Sequence, residues 1–404
     1  MPQWIQRLPV LLGMGLLVCP WLIPVVNWIG QTAGQPAPLI QEGALHGVEN
    51  PLEPPVYASD ALWSHQFREA FAAEFDHDLP MLTWAVEFKN QLYYWLLHQS
   101  GIDTVVIGKH RQLLEPGYVD EYCFREPQVI LRHADEWAAQ LAQIQAWYAA
   151  EGKVFVYVIT PSKVATYPQY IPALQPCPAP PTARDALGPL WDATLDRHGV
   201  RYVDAAALTR AAAPNFPFEM FPLGGTHWNE VAATMATQAV IDSINQAPTP
   251  WKLQPFTFTW TMAPPVGISR DLTDLLNVPY PRLDWKAPQT QVAPIPPAWG
   301  CAPTDLAVVG GSFTYEILWT LDKLPCPPTV RFYSYFVANQ AIYPGDIRGP
   351  VVSDERDRKL IAESKIVILE ENEVLTLRSN HGPLLYDLLA AHKAMLEADH
   401  PPKR

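Results

Sequence analysis

The chain has 404 residues, of which 49% are hydrophobic and 17% are charged, and it contains 43 prolines. This composition excludes a disordered chain and leaves room for one large domain or two ordinary ones with a sizeable core. The net charge of −13 argues against a nucleic-acid partner, because such a partner favours a basic surface.

The N-terminal residues 1–30 are predicted to form a membrane segment. Residues 8–29 contain no charged side chain, and about 20 apolar residues are enough to cross a bilayer as a helix. Arg7 precedes this stretch and the next lysine or arginine is Arg68, so the positive-inside rule places the bulk of the chain outside the cytoplasm. The apolar run is longer than the roughly 7–15 residues of a signal-peptide core. This length favours a helix retained in the inner membrane, with a cleaved signal peptide as the open alternative.

Two further segments precede the main domain. Residues 31–58 are polar and dotted with prolines, without a periodic apolar pattern, and are predicted to be a linker. Residues 59–100 repeat aliphatic and aromatic side chains at helical spacing and predict a helical lead-in. The remaining residues, 101–404, are predicted to form a single domain.

Within that domain, short apolar and β-branched runs alternate with helical stretches. The predicted strands are 104–108, 154–159, 200–204, 306–310, 329–333 and 366–369, and the helices between them include 133–151 and 313–324. This alternation is typical of an α/β fold whose mainly parallel sheet is covered by helices on both faces. In such folds ligands bind outside the carboxyl ends of the strands.

Four cysteines follow the N-terminal segment: Cys123, Cys177, Cys301 and Cys326. An even number permits disulfides in an oxidising compartment, and the spacings match no zinc template. Four cysteines allow three pairings. The pairing that we favour joins Cys301 to Cys326, around the Ser312 segment, and Cys123 to Cys177. We expect no metal and no organic cofactor.

Two residues carry the chemistry that the sequence predicts. Ser312 follows two glycines after a predicted strand, at the N-terminus of a predicted helix whose free N–H groups favour an oxyanion. His227 lies just before another predicted helix, where an imidazole can act as a general base. Each residue alone is more typical of a helix cap or of packing. Because two such junctions occur in one α/β domain, acyl transfer through a serine ester becomes as well supported as a purely structural role for the two residues.

Four segments then occur in an order that we associate with one family. They are Val-Ile-Gly-Lys-His-Arg-Gln-Leu-Leu at 106–114, Thr-Pro-Ser-Lys and Tyr-Pro within 159–172, Gly-Thr-His-Trp within 224–233, and Val-Gly-Gly-Ser-Phe at 309–313. They resemble motifs of the alginate O-acetyltransferase family, the AlgX/AlgJ-like members of the SGNH hydrolase superfamily. The resemblance extends over residues 101–389.

The resemblance implies a flavodoxin-like three-layer α/β/α fold of the SGNH type, located in the periplasm. It implies transfer of acetyl groups to an exported polysaccharide, with the donor supplied by a membrane-bound O-acyltransferase partner. Ser312 would be the nucleophile and His227 the base. The Ser312 backbone N–H would hold the oxyanion, with Gly311 as a further contact.

One member of the family's triad is absent from its usual position. The family has an aspartate two residues before the histidine, where this chain has Gly225. Without a carboxylate the imidazole is less well oriented, and in serine proteases this loss lowers turnover about 10⁴-fold. Three explanations stay open: Glu219 or Glu230 replaces the aspartate, a Ser–His dyad suffices, or the protein binds polymer without catalysis.

Two charged features complete the sequence-based prediction. Lys163 is interpreted either as a contact for substrate, such as an anionic sugar, or as a solvated lysine. The acidic run 370–373 is expected to be a solvated turn that opens a helix.

The leading functional prediction is a periplasmic polysaccharide O-acetyltransferase that uses an acetyl-serine intermediate. A polysaccharide acetyl-esterase with the same residues, and a non-catalytic scaffold of an export complex, are the alternatives.

Overall fold

The computed structural model describes residues 22–32, 45–47, 82–124, 126–301, 304–335, 339–343, 346–348, 355–379 and 381–399. The chain divides into two units. The first consists of Met1–Val105 with Thr273–Pro281, and the second of Val106–Leu272 with Arg282–Arg404. Both Ser312 and His227 belong to the second unit.

The first unit contains two helices in its described part. Helix α1 spans Leu22–Thr32, and α2 spans Leu82–Leu92 and continues as one π-helical turn, Tyr93–Leu97. The side chain of Asn90 donates a hydrogen bond to the carbonyl of Leu276 at 2.9 Å, within the same unit. Helix α2 lies within the predicted helical lead-in.

The predicted membrane segment 1–30 and linker 31–58 fall mostly outside the described residues. Among the helices that the structure describes, none has both the length and the apolar character needed to cross a membrane. Residues 59–81 of the predicted lead-in also lie outside the described part.

The described strands of the second unit form one large sheet and two small ones. In chain order they are β1 (Val106–Ile107), β2 (Leu113–Leu114), β3 (Val154–Thr160), β4 (Tyr202–Asp204), β5 (Phe256–Ala263), β6 (Ala287–Pro294), β7 (Asp305–Gly310), β8 (Thr329–Ser334), β9 (Asn339–Tyr343), β10 (Asp346–Arg348) and β11 (Ile366–Asn372). The large sheet has the order β10-β9-β8-β7-β11-β3-β4. Its strands from β8 to β4 are parallel, and β9 and β10 extend it in antiparallel fashion. The predicted parallel sheet is therefore confirmed.

Helices pack against both faces of this sheet, and further short helices lie in its connections. In chain order after α2, the described helices are α3 (Pro116–Cys123), α4 (Pro127–Ile130), α5 (Ala134–Ala150), α6 (Lys163–Thr166), α7 (Pro181–Asp185), α8 (Leu187–His198), α9 (Ala205–Ala212), α10 (Glu230–Gln246), α11 (Asp271–Leu275), α12 (Tyr315–Asp322), α13 (Glu355–Glu363) and α14 (His381–Asp399). Alternate residues of β3 enter two separate cores, one with side chains of α10 and α12 and the other with side chains of α5, α8 and α14. Such burial on both faces explains why the predicted strands are continuously apolar.

All six predicted strands are present, with end residues that differ by a few positions, but the first of them, β1, pairs antiparallel with β2 and lies outside the large sheet. The antiparallel hairpin of β5 and β6 was not predicted. Its signal is the alternation Phe-Thr-Phe-Thr-Trp-Thr from residue 256, because period-2 alternation is typical of a strand with one buried face. The connection between β5 and β6 contributes a residue to the candidate site.

Two disulfides join Cys123 to Cys177 and Cys301 to Cys326. This is the pairing that the sequence analysis favoured, and it is confirmed. The second bridge links the segment that enters β7 to the segment that follows α12, so it closes a loop that contains Ser312.

Candidate active site

Ser312 lies at the carboxyl end of β7, in a 3₁₀ turn formed by Ser312–Thr314 that leads into α12. Two glycines precede it because two other groups approach the backbone closely there. A Cβ atom at Gly310 would lie 2.7 Å from Oε2 of Glu370, and one at Gly311 would lie 3.0 Å from the ring of Tyr335. Larger side chains would push both groups away from the serine.

Glu370 on β11 holds this turn in place through hydrogen bonds. Its Oε2 accepts the backbone N–H of Gly311 at 2.6 Å and the hydroxyl of Thr314 at 3.2 Å, and its other oxygen accepts the hydroxyl of Thr160. Glu370 is 1% exposed. The Gly311 N–H therefore already has an acceptor, which corrects the prediction that Gly311 contacts an oxyanion.

The expected solvated turn at 370–373 is also wrong. Glu370 and Glu371 both lie within β11 and are buried. Glu371 accepts hydrogen bonds from Tyr157 at 2.7 Å and from Ser379, and burial raises its pKa to about 7. Glu373 accepts from the backbone N–H of Ser162 and pairs with Arg210 at 2.7 Å. Charged residues are rarely buried unless paired, and these carboxyl groups have such partners.

His227 is held by the loop that precedes α10. Asn229 is the N-cap of that helix, since its side-chain oxygen accepts the Ala232 N–H at 2.9 Å. The Asn229 side-chain amide also donates to the carbonyl of Glu219 at 2.7 Å, and its backbone N–H donates to the carbonyl of Met220 at 2.8 Å. These bonds fix the backbone on the C-terminal side of His227.

Lys163 fixes the backbone on the other side. Its Nζ donates to the carbonyls of Leu113, Pro222, Leu223 and Gly225 at 2.7–3.1 Å, and the residue is 3% exposed. Burial lowers the pKa of Lys163 to about 7, while the charges of Asp271 and Glu219 act in the opposite direction. The carbonyl acceptors also favour the charged form. Lys163 is therefore neither a solvated lysine nor a substrate contact, which corrects both interpretations of this residue.

Asp271 supplies a carboxylate beside His227. Its Oδ2 lies 2.6 Å from Nδ1 of His227, and Nε2 of the same ring lies 2.8 Å from Oγ of Ser312. Because a carboxylate only accepts, Nδ1 carries a proton, and Nε2 of the neutral ring can accept the hydroxyl proton of the serine. The other Asp271 oxygen accepts the N–H groups of Thr226 at 3.0 Å and Leu272 at 2.7 Å, which orients the carboxylate.

Gly225 permits this arrangement. A Cβ atom at residue 225 would lie 2.6 Å from the carbonyl oxygen of Ile268 and 3.0 Å from that of Ser269. The backbone just before Asp271 therefore occupies the space that a side chain at 225 would need. Gly225 therefore stands at the family's aspartate position, and Asp271 contacts His227 from another loop instead.

The two glutamates considered as substitutes lie in other interactions. Glu219 accepts hydrogen bonds from Gln112 at 2.8 Å and from Tyr170. Glu230 accepts the backbone N–H of Thr290 at 2.9 Å and lies 3.5 Å from the ammonium of Lys323. The carboxylate at Nδ1 is that of Asp271, which replaces both of these predictions.

Carboxyl groups surround His227. Burial acts to lower its pKa, but the hydrogen bond with Asp271 and the charges of Glu316, Asp271 and Glu115 outweigh this effect, so the pKa is raised above 6.5. Burial itself raises the pKa of Glu316 to about 8 and raises that of Glu115. This environment favours the protonated form of His227.

The sequence analysis missed Asp271 because nothing local marks it. The connection between β5 and β6 contains Asp271, Asp274 and Asp284, and their spacing does not distinguish among them. The β5 alternation would have identified a hairpin whose connection could return to the sheet edge. In the described part of the chain, no cluster of three or more His, Cys, Asp or Glu residues could hold a metal ion.

The chain is similar to known proteins at the family level. The family model described as "SGNH hydrolase-like domain, acetyltransferase AlgX" matches residues 120–315, a range that includes His227, Asp271 and Ser312. No curated protein sequence matches the chain significantly.

Three solved structures have partial similarity to the chain. The O-acetyltransferase domain of Pseudomonas putida AlgJ is 19% identical, with 68% of this chain and 92% of that chain covered and a TM-score of 0.45. Pseudomonas aeruginosa AlgX is 14% identical, with 70% and 66% covered and a TM-score of 0.42. Bacillus cereus PatB1 is 10% identical, with 68% and 97% covered and a TM-score of 0.40. At this distance these structures assign no activity to the chain.

Three of the four ordered motifs, all except the one at 106–114, lie within the matched range, and the match confirms the resemblance. Residues 120–315 are therefore similar to the SGNH hydrolase-like domain of the AlgX acetyltransferase family.

Proposed function

We propose that this protein is an SGNH-type O-acetyltransferase that acetylates hydroxyl groups of an exported polysaccharide through an acetyl-serine intermediate. The observation that carries the proposal is the chain of hydrogen bonds from Asp271 to His227 to Ser312, at 2.6 Å and 2.8 Å. The family description, an acetyltransferase, supports acetyl as the transferred group.

In the first half-reaction, Ser312 Oγ attacks the carbonyl carbon of the acetyl donor, and its proton passes to Nε2 of His227. Asp271 keeps the other ring nitrogen protonated and stabilises the imidazolium. Collapse of the tetrahedral intermediate breaks the bond to the donor, which leaves with the proton from His227. The product is acetyl-Ser312 with a neutral imidazole beside it.

In the second half-reaction, a sugar hydroxyl takes the place of the departed donor. Neutral His227 accepts the hydroxyl proton while the sugar oxygen attacks the acetyl carbon, and the proton then returns to Ser312 Oγ. Water in place of the sugar would make the same site an esterase. Transfer therefore depends on binding the acceptor against the acetyl-serine while water is excluded.

The proposed setting is the periplasm, with the N-terminal segment as an inner-membrane anchor and a membrane-bound O-acyltransferase as the source of acetyl groups. Two disulfides support an oxidising compartment. The hydrogen-bonded Ser312, His227 and Asp271 favour an enzyme over a non-catalytic scaffold, because a scaffold has no need to align these three groups.

The test uses the purified full-length chain with a chromogenic acetyl ester as donor and a panel of oligosaccharides as acceptors. Wild type is compared with Ser312→Ala and with Ser243→Ala, a control that removes a hydroxyl on α10. We expect mass spectrometry to find one acetyl group on Ser312 in wild type and in the control, and none in Ser312→Ala. Acetylated oligosaccharide in the same reactions identifies a transferase.

Two other results would contradict the proposal. Acetyl-Ser312 that is released only as acetate with every acceptor indicates an esterase. Equal background rates in wild type and in Ser312→Ala, with no acetyl on the serine, indicate a site without catalysis, and polysaccharide binding would then be the function to measure.

A further inference from the structure

The nucleophile turn needs a second oxyanion donor. Acyl transfer requires donors aimed at the oxygen that becomes negative in the tetrahedral intermediate. The backbone N–H of Ser312 is one such group, since it belongs to the nucleophile itself. The N–H of Gly311 is bound to the buried carboxylate of Glu370 at 2.6 Å.

Tyr335 places a hydroxyl at this position. It directly follows β8, and its own N–H donates to the carbonyl of Gly310 at 2.9 Å, which ties it to the end of β7. Its φ of 53° lies in the left-handed region, which few residues other than glycine adopt without strain. Its ring packs against Gly311, where a Cβ atom would come within 3.0 Å of it.

The Tyr335 hydroxyl contacts two atoms of the nucleophile. Its oxygen accepts the Ser312 N–H at 3.0 Å and lies 3.1 Å from Ser312 Oγ. Because the serine proton points to His227, Oγ accepts the hydrogen bond that the tyrosine O–H donates. The hydroxyl thus lies within hydrogen-bonding distance of both the nucleophilic oxygen and the Ser312 N–H that would hold the oxyanion.

We propose that Tyr335 is a catalytic residue that donates a hydrogen bond to the oxyanion, an inference that rests on the proposed acetyl transfer. When the donor binds, its carbonyl oxygen replaces the tyrosine oxygen as acceptor of the Ser312 N–H. Tyr335 is 39% exposed, so solvent and ligands can approach its side chain. Its O–H then turns from Oγ to the carbonyl oxygen.

The tyrosine neither gains nor loses a proton in this step. His227 alone carries the serine proton to the leaving group and later takes the proton of the acceptor. Both half-reactions pass through a tetrahedral oxyanion, so both use the Tyr335 hydroxyl.

The test is Tyr335→Phe, which keeps the ring against Gly311 and removes only the hydroxyl. The matched control is Tyr386→Phe, which removes a hydroxyl that donates to Gln143 on α5, away from the nucleophile. Loss of one oxyanion donor lowers kcat by about 10²–10³-fold in a serine protease. We expect a decrease of about that size in Tyr335→Phe, with KM little changed, because the donor acts in the transition state.

Single-turnover measurements separate the two half-reactions. We expect the formation of acetyl-Ser312 and its discharge to an acceptor to be slowed to a similar extent in Tyr335→Phe. A kcat in Tyr335→Phe equal to or above that of wild type would overturn the proposal, because the hydroxyl would then only obstruct the site. A variant slowed in donor acetylation alone would also overturn it. Absence of acetyl-Ser312 in wild type is a different result, which contradicts the proposed function instead.

Discussion

Two glycine pairs precede the two reactive residues, and they differ in what they make room for. Gly224 and Gly225 lie before His227, and the space at Gly225 is filled by backbone carbonyls of Ile268 and Ser269. Gly310 and Gly311 lie before Ser312, and the space there is filled by the Glu370 carboxylate and the Tyr335 ring. In the first loop the close approach brings the Asp271 carboxylate, from a distant part of the chain, to His227. In the second it fixes the backbone that presents the serine.

Gly225 has a different meaning in the structure than in the family's sequence pattern. Against the family pattern, Gly225 indicates a lost triad aspartate. In the structure, the same glycine lets the segment before Asp271 pack so closely that Asp271 reaches Nδ1 of His227 at 2.6 Å. The absence of a side chain at Gly225 and the position of the Asp271 carboxylate therefore depend on each other.

The variant that breaks the first loop most severely is Gly225→Asp, which restores the residue typical of the family. We expect kcat/KM to fall by at least about 10²-fold, because the new Cβ displaces the 268–269 backbone and with it Asp271. Overpacking of this kind also costs about 1–3 kcal/mol in the free energy of unfolding. Steady-state kinetics and urea unfolding measure the two effects.

The control is Gly188→Ala on α8, where a Cβ atom would meet no other atom within 4 Å. This variant should keep wild-type activity and be at least as stable as wild type, because alanine favours a helix more than glycine does. If Gly225→Asp were as active as wild type or more so, position 225 would still accommodate the family's aspartate, and the explanation of Gly225 would be wrong.

Glu370→Gln is a milder substitution that tests the turn before Ser312. The amide keeps the size of the side chain, but it replaces a charged acceptor of the Gly311 N–H with a neutral one, and charge-assisted hydrogen bonds are roughly twice as strong. We expect a small displacement of Ser312, which should lower kcat by about tenfold. The weaker hydrogen bond should also lower the free energy of unfolding by about 1–2 kcal/mol.

Glu371→Gln is the matched control, because adjacent residues of a strand point to opposite faces of the sheet. Glu371 contacts Tyr157 and Ser379, not the serine turn. Equal loss of kcat in both variants would show that the effect comes from general destabilisation of β11 and not from the position of Ser312.

The sequence predicts those parts of the molecule whose signals are local. The parallel strands are recognisable because both their faces are buried and their residues are continuously apolar. Ser312 and His227 are recognisable because each lies at a junction with a helix, next to glycine or a capping residue. Each signal occupies fewer than about ten residues, within the range of pattern analysis.

The remaining parts depend on contacts between distant segments. Asp271 lies 44 residues from His227 in the chain, and its role follows from the packing against Gly225. Lys163 and the acidic run 370–373 were interpreted as solvated or substrate-binding because charged residues are usually exposed. Their burial depends on acceptors and donors contributed by other loops, which composition and spacing do not reveal.

The most direct test of the account is the pH dependence of kcat/KM for Asp271→Asn, measured beside Asp284→Asn. Asp284 lies in the same connection between β5 and β6, but it is exposed and paired with Arg282. In wild type, His227 must be neutral to act as a base, and its pKa is raised above 6.5. Activity should therefore fall as the pH decreases through an apparent pKa above that value.

In Asp271→Asn the hydrogen bond and charge that raise the pKa of His227 are lost, so the acidic limb should move to lower pH. Turnover at the optimum should fall by about 10⁴-fold, as it does when the triad aspartate of a serine protease is replaced by asparagine. Asp284→Asn should follow the wild-type profile. An Asp271→Asn profile that coincides with that of Asp284→Asn would contradict the assignment of Asp271 as the third member of the triad.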